Sequence, residues 1–242
     1  REIELMREAG KRLAHVHQEL EAMIAPGIST WEIDAKGEKL IRDCGCIPNF
    51  LHYNGYPASI CVSVNDEVVH GIPRKDRYLK EGDIVSLDAG LIYKGYHSDA
   101  ARTHAVGKVS TEAQKLMDVT KQSFFEGIKM AKEGQHLHDI SRAIEEYVTP
   151  YGYGIVRDLV GHGIGTALHE DPQIPNYAQK RRGVRLQAGM TLAIEPMINA
   201  GTWQVRFLRD GWTVVTKDGS LSAHYENTIL VTDGEPEILT LY

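Results

Sequence analysis

Cysteine is scarce and unpatterned: the 242 residues hold three, Cys44, Cys46 and Cys61. An odd number without framework spacing excludes a disulfide-stapled secreted scaffold, and "CGC" is not a C-x-x-C redox or zinc pair. The thiols read as reduced and structural, and the protein as cytoplasmic. An excess of positive charge is missing too. Lys and Arg number 27 against 33 Asp and Glu, a formal charge of -6, which leaves no electrostatic footprint for nucleic acid or an anionic membrane. No apolar run approaches the ~18 residues of a membrane span. The opening "REIELMREAGKRLAHVHQEL" is a charged amphipathic pattern, not the basic segment and apolar core of a signal peptide. It lacks an initiating Met and reads as a trimmed start. H-E-x-x-H is absent as well: in "HEDPQ" position 173 is Gln. What is present is ordinary globular composition, 42% hydrophobic and 25% charged, in a length that suits one large domain or two small ones.

Apolar residues at Met6, Ala9, Leu13, Val16, Leu20 and Ile24 predict a first helix, ended by Pro26-Gly27. Ser29 with Glu32 is a capping-box pattern that opens a second helix through about Asp43. Strand-like segments follow: "SICVSV", then "NDE" as a turn before "VVHGIP", then "DIVSLDAGLIY" and "YHSDAARTHAV". A third helix is expected from Thr111 to Lys132, stopped by Gly134, and a fourth from about Leu137 to Val148. The remainder returns to strands. The order helix, helix, strands therefore occurs twice. "LKEGDIVSLD" from Leu79 aligns without a gap on "LQAGMTLAIE" from Leu186, an offset of 107 that also carries Ala25-Pro26-Gly27 onto Lys132-Glu133-Gly134. The expectation is one catalytic domain over 1–242, built of repeats at about 1–107 and 108–242. The repeat places Glu195 where the first half has Asp88.

Asp88 and Asp99 lie inside apolar strand segments, where an unpaired ionised carboxylate is costly. Joined by a short hairpin at Lys94-Gly95, the two strands put both acids on one face, opposite or diagonal to each other. Carboxylates that close repel unless one is protonated or a cation intervenes. Downstream, "LVGHGIGTALHEDP" supplies His162 and His169, "TLAIEPMI" supplies Glu195, and "SAHYENTILV" supplies Glu226. Each alone is a weak signal. Together they give four carboxylates and at least one imidazole in apolar or Gly-rich settings. About four negative charges are balanced by two divalent ions. An oxygen-rich set with one imidazole suits Mn, Fe, Co or Zn, and the chemistry is metal-assisted hydrolysis.

At these residues the sequence closely resembles the type I methionine aminopeptidases, in their short bacterial form. The resemblance covers nearly the whole chain and rests on "VSVNDEVVHGIP", "SLDAGLIYKGYHSDAART", "VGHGIGTALHEDPQIPN", "LAIEPMI" and "HYENTI". It implies the pita-bread fold, an α+β class. That fold is internally duplicated with pseudo-twofold symmetry and has a central antiparallel sheet flanked by helices. It also implies five metal ligands: Asp88 on one ion, Asp99 and Glu226 as bridges, His162 and Glu195 on the other ion. Glu195 resembles the general base toward a bridging water, His169 the donor to the tetrahedral intermediate, and His70 the residue that contacts the scissile amide or leaving amine. Asp88 is implied in positioning the free α-amine.

The positions that match the family's methionine pocket are Tyr53, Tyr56, Cys61, Leu168 and Trp212, with Phe50 beside them. The family often carries an aromatic where this chain has Leu168. The implied substrate is the N-terminal methionine of peptides and nascent chains, hence a setting near the ribosome, with no nucleic acid or membrane partner and a monomeric state. Two alternatives stay open: a prolidase or aminopeptidase P relative, and a non-enzymatic binding protein of the same fold. Against the first stands the lack of extra His motifs, and against the second stand five competent ligand positions.

Overall fold

The computed structural model describes residues 1–242. The first half runs α1 (Glu2–Ala22), α2 (Thr30–Asp43), β1 (Ile47–Pro48), β2 (Ile60–Val64), β3 (Glu67–Val69), β4 (Ile84–Tyr93) and β5 (Tyr96–Ala105). The second opens on α3 (Thr111–Ile128) and α4 (Leu137–Val148). Short strands follow: β6 (Gly154–Ile155), β7 (Gly161–Gly163), β8 (Glu170–Ile174), β9 (Thr191–Ile194) and β10 (Met197–Asn199). The chain closes with β11 (Val205–Phe207), β12 (Val214–Thr216), β13 (Ser222–His224), β14 (Asn227–Leu230) and β15 (Glu237–Ile238).

The helices form where sequence chemistry supports them. α1 buries Met6, Ala9, Leu13, Val16 and Leu20 along one stripe. At the start of α2 the Glu32 amide donates to Ser29 Oγ at 3.1 Å, and the Ser29 amide donates to Glu32 Oε2 at 2.8 Å. A cap of this kind contributes roughly 1 kcal/mol. α3 is shorter than its periodicity predicts and ends at Ile128 rather than Lys132. Beyond it the backbone donors leave the helical ladder: the Glu133 amide donates to the Thr232 carbonyl and the Gly134 amide to the Leu186 carbonyl. The Met130 and Ala131 amides still turn back to Gly127 O and Ile128 O, and strand-type pairing takes over at Lys132, which bridges Thr232.

The duplication is visible bond by bond. The Gly27 amide donates to Leu79 O at 2.8 Å, and the Gly134 amide to Leu186 O at 2.9 Å; the Leu79 amide returns to Ile28 O, and the Leu186 amide to Gln135 O. The bridge Ser29↔Tyr78 recurs as His136↔Arg185. Every one of these pairs is related by the same offset of 107. α4 repeats the cap of α2, with the His136 amide donating to Asp139 Oδ2 at 3.0 Å.

The central sheet is two antiparallel sheets set edge to edge. One is ordered β1-β4-β2 with β5 also on β4, and the other is β15-β14-β9-β7-β8. They meet where the Ala101 amide donates to Glu226 O at 3.2 Å and the Glu226 amide to Ala101 O at 3.0 Å. Ile84 pairs with Ala105 as Thr191 pairs with Leu230, so Ala101 and Glu226 are equivalent positions and the pseudo-twofold passes between them. Helices α1 and α2 cover the first sheet over Leu13, Ile33, Val62 and Leu87. Helices α3 and α4 cover the second over Phe124, Ile140, Ile144 and Ile229.

Candidate active site

The acids converge at that axis. Asp88 lies in β4 between Cys61 of β2 and Ala101 of β5. Asp99 lies in β5 opposite Gly90. Tyr93 pairs with Tyr96 around Lys94-Gly95, so Asp88 and Asp99 share a face and are diagonal rather than directly opposed. Glu195 follows β9 at the position equivalent to Asp88, Glu226 precedes β14, and His162 in β7 pairs with Ala193. Ligand atoms of Asp99, His162, Glu195 and Glu226 all lie within 4.8 Å of one another. Asp88 stands beside this group, within hydrogen-bonding reach of Asp99.

The electrostatics show what this arrangement needs. Burial, with Asp99 next, pushes the carboxyls of Asp88 and Glu226 well above the ordinary carboxylate range. Asp88 Oδ1, Asp99 Oδ1 and both carboxylate oxygens of Glu226 are buried with no hydrogen-bonding partner. His162 Nδ1 lies 2.8 Å from Gly163 O, which fixes that nitrogen as the donor and turns Nε2 toward Glu195 at 3.4 Å and Asp99 at 3.5 Å. Burial alone would lower the His162 pKa. The Asp99 and Glu195 carboxylates override burial and raise it to about 11, and burial likewise fails to prevent His162 from drawing Glu195 down to about 2. In the ion-free chain, protons thus hold the place of positive charge among the carboxylates. Orphaned buried oxygens and an Nε2 lone pair aimed at the same point fit divalent cations in a mostly oxygen donor set.

Asp88, Asp99, His162 and Glu195 line a cleft of about 210 Å³, with Glu226 fully buried behind them. All the pocket residues read from sequence line it: Phe50, Tyr53, Tyr56, Cys61, Leu168 and Trp212, together with His70 and His169. Tyr56 meets Trp212 edge to face at 5.2 Å between ring centres, and Leu168 and Cys61 are buried at 2% and 4% exposure, so the wall is fixed and apolar. Tyr53 Oη lies 2.9 Å from His169 Nδ1, and the His169 ring sits 4.4 Å from that of His162. Burial lowers the pKa of both His70 and His169, which keeps each a neutral donor-acceptor. His70 adopts a left-handed backbone (φ 58°), a conformation few non-glycine residues hold without a local reason.

Sequence reasoning missed three residues here. Asn54, at the mouth, carries no periodic signal. Thr228 fastens the Asp99 backbone, and Arg102 fastens the Glu226 carbonyl. Both sit in quoted motifs, where a polar residue within an apolar strand was the available signal. Glu226 and Asp99 were visible as acids, but the groups that hold their backbones are set by a contact between the two halves.

The duplicated α+β fold and its carboxylate–imidazole centre define a metallopeptidase: the chain belongs to metallopeptidase family M24, whose profile matches residues 4–233. Within that family the chain is most similar in sequence, among the relatives compared, to methionine aminopeptidases. That of Clostridium acetobutylicum is 55% identical over 240 residues, 99% of this chain and 96% of the relative. Methionine aminopeptidase 1 of Bacillus subtilis is 52% identical over the same shares. The crystal structure of methionine aminopeptidase from Thermotoga maritima superposes with a TM-score of 0.97 at 47% identity, covering 100% of this chain and 97% of that one. A Xaa-Pro dipeptidase from Bacillus anthracis matches with a TM-score of 0.79 at 26% identity, and covers 99% of this chain but 60% of the dipeptidase.

Proposed function

We propose that the protein hydrolyses the peptide bond that follows an N-terminal methionine. The carrying observation is that the apolar wall of Tyr56, Cys61, Leu168 and Trp212 and the carboxylate–imidazole centre belong to one cleft. An unbranched thioether side chain suits such a wall, and the neighbouring carboxylates place the bond to be cut beside them.

Asp88, Asp99, His162, Glu195 and Glu226 would hold two divalent ions of the Co, Mn, Fe or Zn type. Asp99 and Glu226, at the centre of the group, would serve both ions, Asp88 would add a carboxylate on one side, and His162 and Glu195 an imidazole and a carboxylate on the other. When bound, the ions supply Lewis acidity and a water acidic enough to attack a carbonyl near neutral pH. Glu195 takes the proton of the attacking water and delivers it toward the leaving amine. His169, with Nδ1 accepting from Tyr53, presents Nε2–H to the developing oxyanion. His70 contacts the leaving side, and Asp88 engages the free α-amine, which restricts cleavage to the first residue.

Residues 1–242 are read as a single catalytic domain with repeats at about 1–107 and 108–242; the hydrogen bonds that recur 107 residues apart support it. Nascent chains near the ribosome would be the substrates, met as a monomer in the cytoplasm. The unpaired Cys44, Cys46 and Cys61 suit a reducing setting, and no helix is long and apolar enough to cross a membrane.

The experiment is metal-dependent release of the first residue from Met-Ala-Ser, Lys-Ala-Ser and Ala-Pro-Ser. Cleavage of the first alone supports the proposal. Equal cleavage of the Lys peptide would make the enzyme a broad aminopeptidase, and preference for the Pro peptide would favour the prolidase-like reading.

A further inference from the structure

A second cavity, of about 430 Å³, opens off the other face of β5 and contains none of the residues discussed above as ligands. Along β5, Asp99 and Ala101 face the acid centre. Arg102 and His104 alternate away from them and enter this second space, where they meet Lys121 of α3, His224 at the end of β13, and Tyr242.

The space carries two cations, Arg102 and Lys121, against two carboxylates, Glu21 and Asp118, and burial lowers the pKa of His104 and of His224 so that both imidazoles are neutral; what it lacks is hydrogen-bonding partners. Arg102 is 6% exposed, and its guanidinium is charged at any accessible pH. It donates to the carbonyl oxygens of Ala101, Glu226 and Thr240 and to Asn227 Oδ1, and to no carboxylate. Its only other support is the faces of Tyr225 at 4.7 Å and Tyr242 at 5.7 Å. His224 is 1% exposed, and neither ring nitrogen has a hydrogen-bonding partner. His104 Nε2 is buried and equally unpartnered. At the rim the Lys121 ammonium lies 5.9 Å from the Tyr225 ring. The acids that line the space are Glu21 and Asp118. Glu21 accepts from Tyr242 Oη at 2.8 Å and lies 3.8 Å from His104 Nδ1; Asp118 accepts from Gln114. Both acids are thus engaged at the periphery, and the buried charge is left to the guanidinium. The Arg102 guanidinium is satisfied by its carbonyl and amide acceptors, but buried imidazole nitrogens without partners are costly.

We propose that this cavity is a binding site for a small oxyanion of the phosphate class, held by Lys121, His104 and His224 in the field of Arg102. A tetrahedral oxyanion offers acceptors to several convergent donors at once, which a carbonyl cannot. Arg102 also joins the Glu226 carbonyl to that of Thr240.

The test compares the holoenzyme in inorganic phosphate and in chloride at matched pH and ionic strength by calorimetric unfolding. Phosphate is expected to raise Tm saturably above the chloride value. Lys121→Ala, an exposed change that leaves the fold and Met-Ala-Ser turnover intact, should raise the half-saturating phosphate concentration about tenfold, and His104→Gln should do the same. A phosphate effect no larger than that of chloride overturns the site. So does a saturable effect that survives unchanged in both variants, since that locates the phosphate elsewhere, the metal centre included.

Discussion

One hydroxyl holds the backbone of Asp99 from both sides. Thr228 Oγ1 accepts from the Asp99 amide at 3.1 Å and donates to the Asp99 carbonyl at 2.8 Å. It thereby sews β5 of one half to β14 of the other at the point where a bridging carboxylate must stand. Thr228→Val keeps the shape and leaves both backbone groups unpaired at a buried position. It should cost about 1–3 kcal/mol of stability and weaken metal retention about 10–100-fold; urea unfolding and metal titration measure the two, and unchanged metal affinity would show that Asp99 needs no such clamp. Glu195 is the counterpart on the chemical side. Glu195→Gln removes the proton acceptor and one anionic ligand while preserving volume. Turnover of Met-Ala-Ser should fall at least 10²–10⁴-fold, the range for a lost general base, with the circular dichroism spectrum unchanged. Near-wild-type turnover would remove Glu195 from the mechanism.

At the scale of elements, the β4–β5 hairpin shows what local sequence can and cannot specify. Its turn is Lys94 at φ 47° and Gly95 at φ 87°, both left-handed, as a two-residue hairpin turn matched to strand twist requires. A Cβ at Gly95 would meet nothing within 4 Å, so Gly95→Ala isolates conformational cost from steric cost. We expect a loss of about 1 kcal/mol in stability with peptidase activity retained; a loss of activity at unchanged stability would mean the turn itself contacts substrate. This hairpin was legible because its turn residues, its apolar alternation and the spacing of its acids agree. The helix starts were legible for the same reason: Ser29 and Glu32 cap α2 as the pattern predicts. The end of α3 was not. Residues 129–132 carry helical periodicity, yet Lys132 bridges to Thr232, and a contact a hundred residues away leaves no mark on local pattern. The short strands β10 to β13 were equally unreadable, since three-residue strands display no period.

For the whole molecule, the two halves share an offset of 107 up to Glu195, but Ala101 corresponds to Glu226, an offset of 125. Glu195 therefore stands opposite Asp88 without a gap but Glu226 does not stand so opposite Ala101: β10 and β13 repeat the distal pairing of β4 and β5, and β11 and β12 are inserted where the first half has only the Tyr93–Tyr96 turn. The consequence is energetic: duplication drives four carboxylates into one buried locus, and folding must supply positive charge there. In the ion-free chain protons supply it. The raised carboxyls of Asp88 and Glu226 contribute stability that is fully present below the ordinary carboxylate range and is lost as pH rises through their raised values. His162 adds in the same direction, its contribution declining from the ordinary imidazole value of 6.5 toward about 11. Glu195, drawn down to about 2, contributes in the opposite sense and loses its share only in acid. Divalent ions replace those protons, so the loaded protein should be less sensitive to alkali. At metal concentrations about 100-fold above Kd, binding adds about 2.7 kcal/mol, or roughly 5–10 °C in Tm for a chain of this size. Chelation should lower Tm by that amount near pH 7 and by more as pH is raised toward 9, and restoring Mn should reverse it. Calorimetric scans of chelated and reloaded protein across that range decide the matter: coincident curves would mean that the four carboxylates are not a cation site.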